Sequence, residues 1–207
     1  MSKPTIQVYS DYKSPYAYLV KDLVYDLERE TGATFDWLPY TLDIPSYLGD
    51  AKVDASGNVI EESRNAHQWR RVKYSYMDCR REANRRGLTI RGPKKIFDSS
   101  TTNIGMLFAK HHGVFHAYHD QVFERFWKRE LDIENMQAMS ALLDQCGAPG
   151  AEFAEFCSGD GQDQLRSIQQ QAEARGVFGV PSFLFEDDDL YWGREHLARV
   201  RERLEKA

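Results

Sequence analysis

A serine hydroxyl at the start of a predicted helix is the first group in this chain that could do chemistry. Ser14 follows a short β-like segment, residues 5–9, and comes directly before Pro15. Serine is favoured at a helix N-cap and proline at the first helical position, so a helix is predicted to begin here. The free N–H groups and the positive dipole end favour an anion. The hydroxyl could cap the helix, donate to a bound anion or act as a nucleophile.

A proline near the end of the chain is the second candidate. Pro181 lies in the segment Gly-Val-Phe-Gly-Val-Pro-Ser-Phe, residues 176–183. Because proline lacks an N–H, it is tolerated at the start or edge of a strand. Most X–Pro bonds are trans, but a Val180–Pro181 bond that faces a helix N-terminus is predicted to be cis. A cis bond would turn the backbone N–H and carbonyl of Val180 outward, where a peptide-like ligand could pair with them.

The thiols and imidazoles give no strong pattern. The three cysteines are far apart and form neither a C-x-x-C pair nor a zinc spacing, which predicts free thiols in a reducing compartment: Cys79, Cys146 and Cys157. Three histidines would share a helix face, but Gly113 interrupts it and no carboxylate completes a ligand set: His112, His116 and His119. No metal site is therefore predicted. The acidic run 187–189 is interpreted as a turn, not a calcium loop.

Hydrophobic periodicity gives the elements that would position these groups. Residues 5–9 and 34–40 alternate as strands do, and residues 15–29 carry apolar side chains at helical spacing before a stop at Gly32. A strand, a helix and a parallel strand form a right-handed βαβ unit. Residues 41–65 are polar and rich in turn residues, so this stretch is predicted to be irregular.

The rest of the chain is mostly helical. Residues 66–86 are predicted to form one helix, and residues 99–174 a run of helices. Residues 177–185 and 190–192 are predicted to be strands, and residues 194–206 a last helix. This order predicts one α/β sheet domain with a helical insertion. The predicted parts are a sheet domain at 1–40 and 176–207, a connecting loop and helix at 41–98, and a helical subdomain at 99–175.

Composition excludes several classes of function. The chain has 207 residues, of which 42% are hydrophobic, and a formal net charge of −5. That charge argues against a nucleic-acid partner. No apolar run is long enough to cross a membrane, and residues 1–4 lack the apolar stretch of a secretory signal; the expected location is therefore the cytoplasm. A homodimer is left open. A basic segment, residues 70–95, is expected to be mainly a solvated face.

Three segments in chain order resemble a branch of the thioredoxin fold. They are Ser14-Pro15-Tyr16, Gly-Val-Pro-Ser-Phe at residues 179–183, and Trp192-Gly193. The branch contains DsbA-type oxidoreductases and, with closer similarity, 2-hydroxychromene-2-carboxylate isomerases and kappa-class glutathione transferases. The resemblance covers almost the whole chain and implies a thioredoxin fold, β-α-β followed by β-β-α, with a large all-helical insertion. The oxidoreductases carry Cys-Pro-x-Cys where this chain has Ser14 and Ala17, so dithiol exchange is excluded at this position.

The resemblance implies that glutathione is the cofactor. Ser14 matches the family serine that contacts the glutathione sulfur, where its hydroxyl and the helix dipole would stabilise a thiolate. The backbone of Val180 would pair with the cysteinyl amide, and residues 193–195 match the segment that holds the γ-glutamyl end. The residues assigned to the cofactor are Ser14, Tyr16, Val180, Pro181, Gly193, Arg194 and Glu195.

The chain also departs from the family pattern. Arg194 and Glu195 stand where the family has a small polar residue followed by Asp. Asn65 is the candidate for a family asparagine, within a longer loop. Lys73 and Tyr74 are the further candidates for substrate contacts, and the basic segment also offers Arg71 and Arg85. Four tyrosines could line an apolar pocket, although core packing is the more common role of such residues: Tyr12, Tyr16, Tyr40 and Tyr74.

The predicted function is a glutathione-dependent isomerase of an aromatic-derived unsaturated carboxylate. Ser14 would be the catalytic residue, and the substrate a small aromatic or unsaturated acid. A kappa-like glutathione transferase or peroxidase would use the same thiolate for irreversible chemistry. A non-catalytic module that binds a peptide along the edge at Val180 is the third alternative.

Overall fold

The computed structural model describes residues 4–206 of the chain. Residues 1–3 and residue 207 lie outside the described part. The expectation about a secretory signal partly rests on residues 1–3. In chain order the strands are β1 (Thr5–Ser10), β2 (Thr34–Pro39), β3 (Ala51–Val53), β4 (Val59–Glu62), β5 (Ser182–Leu184) and β6 (Leu190–Trp192). The helices are α1 (Pro15–Thr31), α2 (Ile44–Leu48), α3 (Ala66–Arg85), α4 (Ser100–His111), α5 (Phe115–Trp127), α6 (Met136–Cys146), α7 (Gly150–Ser158), α8 (Asp160–Ala174) and α9 (Leu197–Leu204).

The main sheet has the strand order β2-β1-β5-β6. β1 pairs with β2 in parallel, whereas β5 runs antiparallel to β1 and β6 antiparallel to β5. The two halves of the sheet are therefore contributed by the two ends of the chain. The predicted β-α-β and β-β-α units and their α/β thioredoxin fold are confirmed.

Helix α1 connects the parallel strands and begins and ends where the sequence predicts. Ser14 is its N-cap and Pro15 its first residue, while Gly32 closes it in the left-handed conformation, φ 66°, with its N–H donated to the Glu28 carbonyl at 2.7 Å. Glycine adopts this conformation without steric cost, which explains the stop. The buried face of α1 packs into the core through apolar side chains that include Leu19, Val24 and Leu27.

Helices α4 to α8 form the insertion between the two halves of the sheet. α4 is buried on nearly all sides, from Thr102 to Ala109, and contacts β2 as well as α5, α6, α7 and α8. Large aromatic side chains fill the space around it, including Tyr118, Phe123, Trp127 and Phe153. One continuous core thus joins the sheet to the helices, so the sheet edge beside α4 is held rigidly.

The prediction that residues 41–65 are irregular was wrong. This stretch contains α2 and the antiparallel hairpin of β3 and β4. Asp43 caps α2, and the Asp54 carboxylate accepts N–H bonds from Ser56 and Asn58 in the hairpin turn. Strand β4 carries no apolar alternation, and all four of its residues are exposed. The strands of the hairpin are therefore held by backbone pairing and turn geometry, which the periodicity of the sequence does not reveal.

The strand and helix predicted near the C-terminus are shorter than expected. Strand pairing covers only Ser182–Leu184 of the predicted residues 177–185. The Ser182 hydroxyl donates to the Gly179 carbonyl at 2.7 Å, so residues 179–182 form a turn before the strand. The predicted helix 194–206 begins as a 3₁₀ turn, Arg194–His196, and continues as α9. Within the described residues, no helix is long and apolar enough to cross a membrane.

The three histidines considered as metal ligands have separate environments. His112 and His116 are exposed, whereas His119 is fully buried. His119 shares a hydrogen bond of 2.9 Å with the Tyr12 hydroxyl through Nδ1 and packs against Trp37 and other aromatic rings. Burial, together with the charges of Lys21 and His116, holds the pKa of His119 well below its usual 6.5. In the described part of the chain, no three potential ligands converge on a metal site.

The buried neutral His119 predicts an acid-sensitive fold. The unfolded chain takes up a proton at this imidazole below pH 6.5, but the folded chain does not, so stability is lost as the pH falls. The loss attributable to His119 should approach about 1.4 kcal/mol per pH unit. Urea denaturation between pH 5 and pH 8 measures it. His119→Gln, which keeps an acceptor for Tyr12, should flatten the slope, and exposed His67→Gln should not. Equal slopes in all three proteins would contradict this origin.

Candidate active site

The strand register brings the three predicted site segments to one edge of the sheet. Tyr9 of β1 lies opposite Ser182 of β5, and Ser182 lies opposite Trp192 of β6. The C-terminal end of β1, the N-terminal end of β5 and the C-terminal end of β6 therefore meet. The Gly193 N–H donates to the Pro181 carbonyl at 2.9 Å, which continues the β5–β6 pairing beyond the strands. The start of α1, Val180–Pro181 and Gly193 thus occupy the same edge.

Ser14 serves as the N-cap of α1 and keeps a free proton. Its Oγ accepts the Ala17 N–H at 3.3 Å, and its own N–H donates to the Asp11 carbonyl at 2.9 Å. The hydroxyl hydrogen has no acceptor among the described residues, and neither has the N–H of Tyr16. Ser14 is 4% exposed. A nearly buried donor at the positive end of a helix is suited to an anionic atom.

The Val180–Pro181 bond is cis, as predicted. Within residues 4–206, the N–H and the carbonyl of Val180 form no hydrogen bond with another backbone group. Buried or half-buried backbone groups are normally paired, so this pair of groups is available to an extended ligand. Gly179 is covered by the Trp192 indole, and a Cβ on Gly179 would lie 2.7 Å from its Nε1. Trp192 therefore packs closely over the backbone that precedes the proline.

Gly193 and the two residues after it form the third of the segments that meet at this edge of the sheet. Gly193 has φ 103°, a conformation that favours glycine, and a Cβ there would lie 2.7 Å from the Glu195 carboxylate. Glu195 thus folds back over Gly193 while remaining exposed. Arg194 points the other way, toward α3, where its Nη1 lies 3.6 Å from Oε1 of Glu82. Arg194 is therefore already engaged within the protein, unlike Glu195.

Tyr16 is held against α3. Its hydroxyl donates to Oδ2 of Asp78 at 3.3 Å, and burial beside Cys79 and Asp78 raises the pKa of Tyr16. A phenol with a raised pKa stays protonated and cannot act as a base near neutral pH. The contribution of Tyr16 to the sheet edge is therefore its unpaired backbone N–H, not its ring oxygen.

A groove of about 690 Å³ opens where β1 and β2 end. Lys13 follows β1, Thr41 follows β2, and both line the groove, together with residues of α4 and α8. Its volume is typical of small-molecule sites. Its apolar wall is formed by Leu42, Pro45, Ile96, Phe97, Ile104 and Leu165. The groove therefore lies beside the residue that precedes Ser14 and has room for a flat apolar molecule.

Lys13 and Asp11 form a buried ion pair that the sequence analysis missed. Lys13 Nζ lies 3.6 Å from Oδ2 of Asp11, and the two side chains are 6% and 0% exposed. Asp11 also accepts the N–H of Leu42 at 2.8 Å and that of Lys13 at 3.3 Å. Asp11 thus ties the loop after β1 to the loop after β2. The only local signal was a charged pair directly before the N-cap.

The predicted substrate residues lie elsewhere. Asn65 is the N-cap of α3, where its side chain accepts the N–H groups of His67 and Gln68. Lys73 and Tyr74 are exposed on α3, and neither they nor Asn65 are among the described residues that line the groove. Substrate contact through these three residues stays a prediction to which the groove adds no support.

The four tyrosines do not form one pocket. Tyr12 is fully buried against Tyr118, His119 and Phe123, and Tyr74 is 58% exposed. Tyr40 is buried, with its hydroxyl 3.5 Å from Glu173. Tyr12 and Tyr40 are therefore packed in the core and Tyr74 lies at the surface, so these three side chains do not line a shared pocket. The basic segment is also partly engaged: Arg86 donates to the Leu19 carbonyl, and Lys95 pairs with Glu134.

Comparison with known proteins decides the family. The model of the DSBA-like thioredoxin domain matches residues 5–205. The chain belongs to this family. A 2-hydroxychromene-2-carboxylate isomerase from Sphingobium xenophagum is 30% identical over 194 residues, 93% of this chain and 94% of the relative. The enzyme of the same name from Pseudomonas putida is 27% identical over 197 residues, 93% of this chain and 90% of that relative.

The fold comparison agrees with the sequence comparison. The structure of a 2-hydroxychromene-2-carboxylate isomerase superposes with a TM-score of 0.76 at 21% identity, and the match covers 98% of this chain and 95% of that one. The resemblance inferred from Ser14, Pro181 and Gly193 is therefore confirmed at the level of the DSBA-like family and its isomerase relatives.

This DSBA-like domain lacks thiols where α1 begins. Ser14 and Ala17 occupy the first turn, and the three cysteines lie on other helices, all unpaired with one another. Cys79 is fully buried on α3, and burial raises the pKa of its thiol to about 12. Burial also raises the pKa values of Cys146 and Cys157. None of these thiols is an activated thiolate of the kind that disulfide exchange requires.

The rate of alkylation of each cysteine should depend on the exposure of its sulfur and on the pKa of its thiol. At pH 8 the thiolate fraction of Cys79 should be about one in ten thousand, and the buried sulfur is out of reach. In native protein, iodoacetamide should modify the half-buried Cys146 first and Cys79 last, as measured by peptide mass spectrometry. In urea, the three sites should react at similar rates. Rapid native alkylation of Cys79 would contradict the buried, protonated thiol.

Proposed function

We propose that this protein is a glutathione-dependent isomerase that acts on an aromatic-derived unsaturated carboxylate. The observation that carries the proposal is the meeting, at one sheet edge, of the Ser14 hydroxyl with the unpaired backbone of Val180 and with Gly193. The similarity to two proteins named 2-hydroxychromene-2-carboxylate isomerase supports the reaction class.

The groups at this edge fit a small peptide that carries a thiol. The N–H and carbonyl of Val180 offer the pairing that one peptide unit needs. The N-terminus of α1 offers the Tyr16 N–H and the Ser14 hydroxyl to an anionic sulfur. Beyond the Pro181 carbonyl, the exposed Glu195 carboxylate can receive a terminal ammonium group. The thiol, one peptide unit and the ammonium group of glutathione thus each have a partner of matching chemistry.

When bound, glutathione supplies a thiolate that can add reversibly to an unsaturated substrate. Ser14 donates its free hydroxyl proton toward the sulfur position while its oxygen still caps α1. That donation, with the helix dipole, stabilises negative charge there. The groove at the ends of β1 and β2 holds the apolar part of the substrate. The nearly complete burial of Ser14 keeps water from the reacting atoms.

Ser14→Ala tests the proposed role of the hydroxyl. The matched control is Asn135→Ala, because Asn135 is also an N-cap and accepts the Ala138 N–H at 3.0 Å. Each variant should lose about 0.5–2 kcal/mol of stability. Only Ser14→Ala should lose the ultraviolet thiolate absorbance of bound glutathione and lower the isomerisation rate by about 10²-fold or more. Calorimetric affinity for glutathione should change much less.

The outcomes separate the proposed isomerase from its alternatives. Absence of glutathione binding to the intact protein would reject both glutathione-dependent enzymes and favour a binding module. Binding together with full thiolate absorbance in Ser14→Ala would remove Ser14 from the mechanism. Product analysis with 2-hydroxychromene-2-carboxylate and with a halogenated aromatic would then distinguish reversible isomerisation from transfer, since only transfer leaves the sulfur attached to the product.

A further inference from the structure

The ammonium group of Lys13 is nearly buried and lacks a hydrogen bond. Its side chain is 6% exposed, and the Asp11 carboxylate, its nearest acidic partner, lies 3.6 Å away, which is too long for a hydrogen bond. Among residues 4–206, Lys13 Nζ has no hydrogen-bond acceptor. An ammonium has three donors, and the described residues accept none of them. These donors are therefore available to a ligand.

Lys13 forms part of the wall of the groove where β1 and β2 end. Ile96, Phe97 and Leu165 also line the groove and contribute apolar surface to it. The lining also carries charges of both signs, Arg166 as a second cation and Asp43, Asp98 and Glu173 as acids. Lys13 is the nearly buried cation among them, and beside the apolar part of the wall it suits a flat apolar molecule that carries a single negative group. A cation in such surroundings attracts an anion more strongly than one in water.

We infer that Lys13 binds the carboxylate of the substrate and sets the specificity of the enzyme for acids. The inference rests on the proposed isomerase function and adds to it a residue that the resemblance did not assign. Lys13 directly precedes Ser14, so the carboxylate is held close to the position proposed for the nucleophilic sulfur. Specificity then follows because an uncharged analogue offers the ammonium only a neutral acceptor, whereas a carboxylate forms the stronger charge-assisted hydrogen bond.

The other cations are less suited to this role. Arg166 also lines the groove, but its side chain is 61% exposed and pairs with Asp163 at 3.4 Å. Exposed ion pairs contribute little because water screens them. Lys73, from the basic segment of α3, is exposed and lies outside the described lining of the groove.

The acidic neighbours of Lys13 are already occupied by other donors. Asp11 accepts the N–H groups of Leu42 and Lys13. Asp98 accepts the N–H of Ser100 at 2.9 Å and its hydroxyl at 2.7 Å. Burial raises the pKa of Asp98, but these bonds and the charge of Lys13 outweigh it and lower the pKa overall. Asp11 is thus a positioning residue for Lys13, and the two carboxylates leave its hydrogens for a ligand.

A pair of unreactive probes isolates the charge interaction. Chromone-2-carboxylate and its carboxamide share one ring system and differ in the group that Lys13 would contact. Calorimetry on the intact protein should give the carboxylate an affinity about tenfold or more above that of the carboxamide. Lys13→Met, which keeps the length of the side chain, should abolish that preference, and Lys13→Arg should retain most of it. Lys52→Met, on the exposed hairpin and paired with Glu61, is the control and should leave it unchanged.

Kinetics and stability separate binding from a structural role. Lys13→Met should raise KM for the carboxylate substrate about tenfold, while its affinity for glutathione stays that of the unmodified protein. Equal affinities of the unmodified protein for the two probes would overturn the inference, even if Lys13→Met failed to fold. So would a Lys13→Met variant whose affinity for both probes falls by the same factor, because the preference for the carboxylate would then remain without the ammonium. Absence of glutathione binding would reject the proposed function instead, since the probe preference is measured independently.

Discussion

The antiparallel pairing of β1 with β5 is the constraint on which the site depends. These strands come from opposite ends of the chain, and the pairing of Tyr9 with Ser182 fixes which residues meet beyond the strand ends. A slip of one residue would turn every side chain of β5 to the other face of the sheet. Because Val8 and Phe183 are both fully buried at this pairing, such a slip would remove apolar area from the core. Core packing thus holds Pro181 beside the start of α1.

The helix N-terminus then gives Ser14 two compatible tasks. A cap needs only the oxygen of the hydroxyl as an acceptor, and Ala17 uses it. The hydroxyl hydrogen takes no part in capping, so it remains free to be donated to another group. A cysteine at this position would supply its own sulfur to the dipole, as disulfide exchange requires. With serine there, the same field acts on whatever anionic atom is brought to it. The change from thiol to hydroxyl therefore turns a position for a nucleophile into a position that can stabilise one.

Local chemistry in the sequence was enough to predict the parts of the site that lie on single segments. Ser14 with Pro15 marked the start of α1, and the residues around Pro181 indicated the cis bond, since each signal depends on adjacent residues. The groove could not be predicted in this way. Lys13, Ile96 and Leu165 are far apart in the chain, and only the packing of the helical insertion against the sheet brings them together. The predicted domain boundaries and the bound cofactor stay predictions.

The site also illustrates how a chain with net negative charge can present a local cation to an acid. The net charge is −5, and long-range attraction of an anionic substrate is therefore weak. Such attraction also falls off within about 10 Å at moderate ionic strength. The charges that line the groove have both signs, with Lys13 and Arg166 against Asp43, Asp98 and Glu173. Asp11, beside Lys13, and Asp98 accept hydrogen bonds from backbone N–H groups, whereas the hydrogens of Lys13 have no acceptor among the described residues. If Lys13 binds the substrate acid as proposed, short-range pairing retains that acid, and the solvated basic face of α3 adds little to its retention.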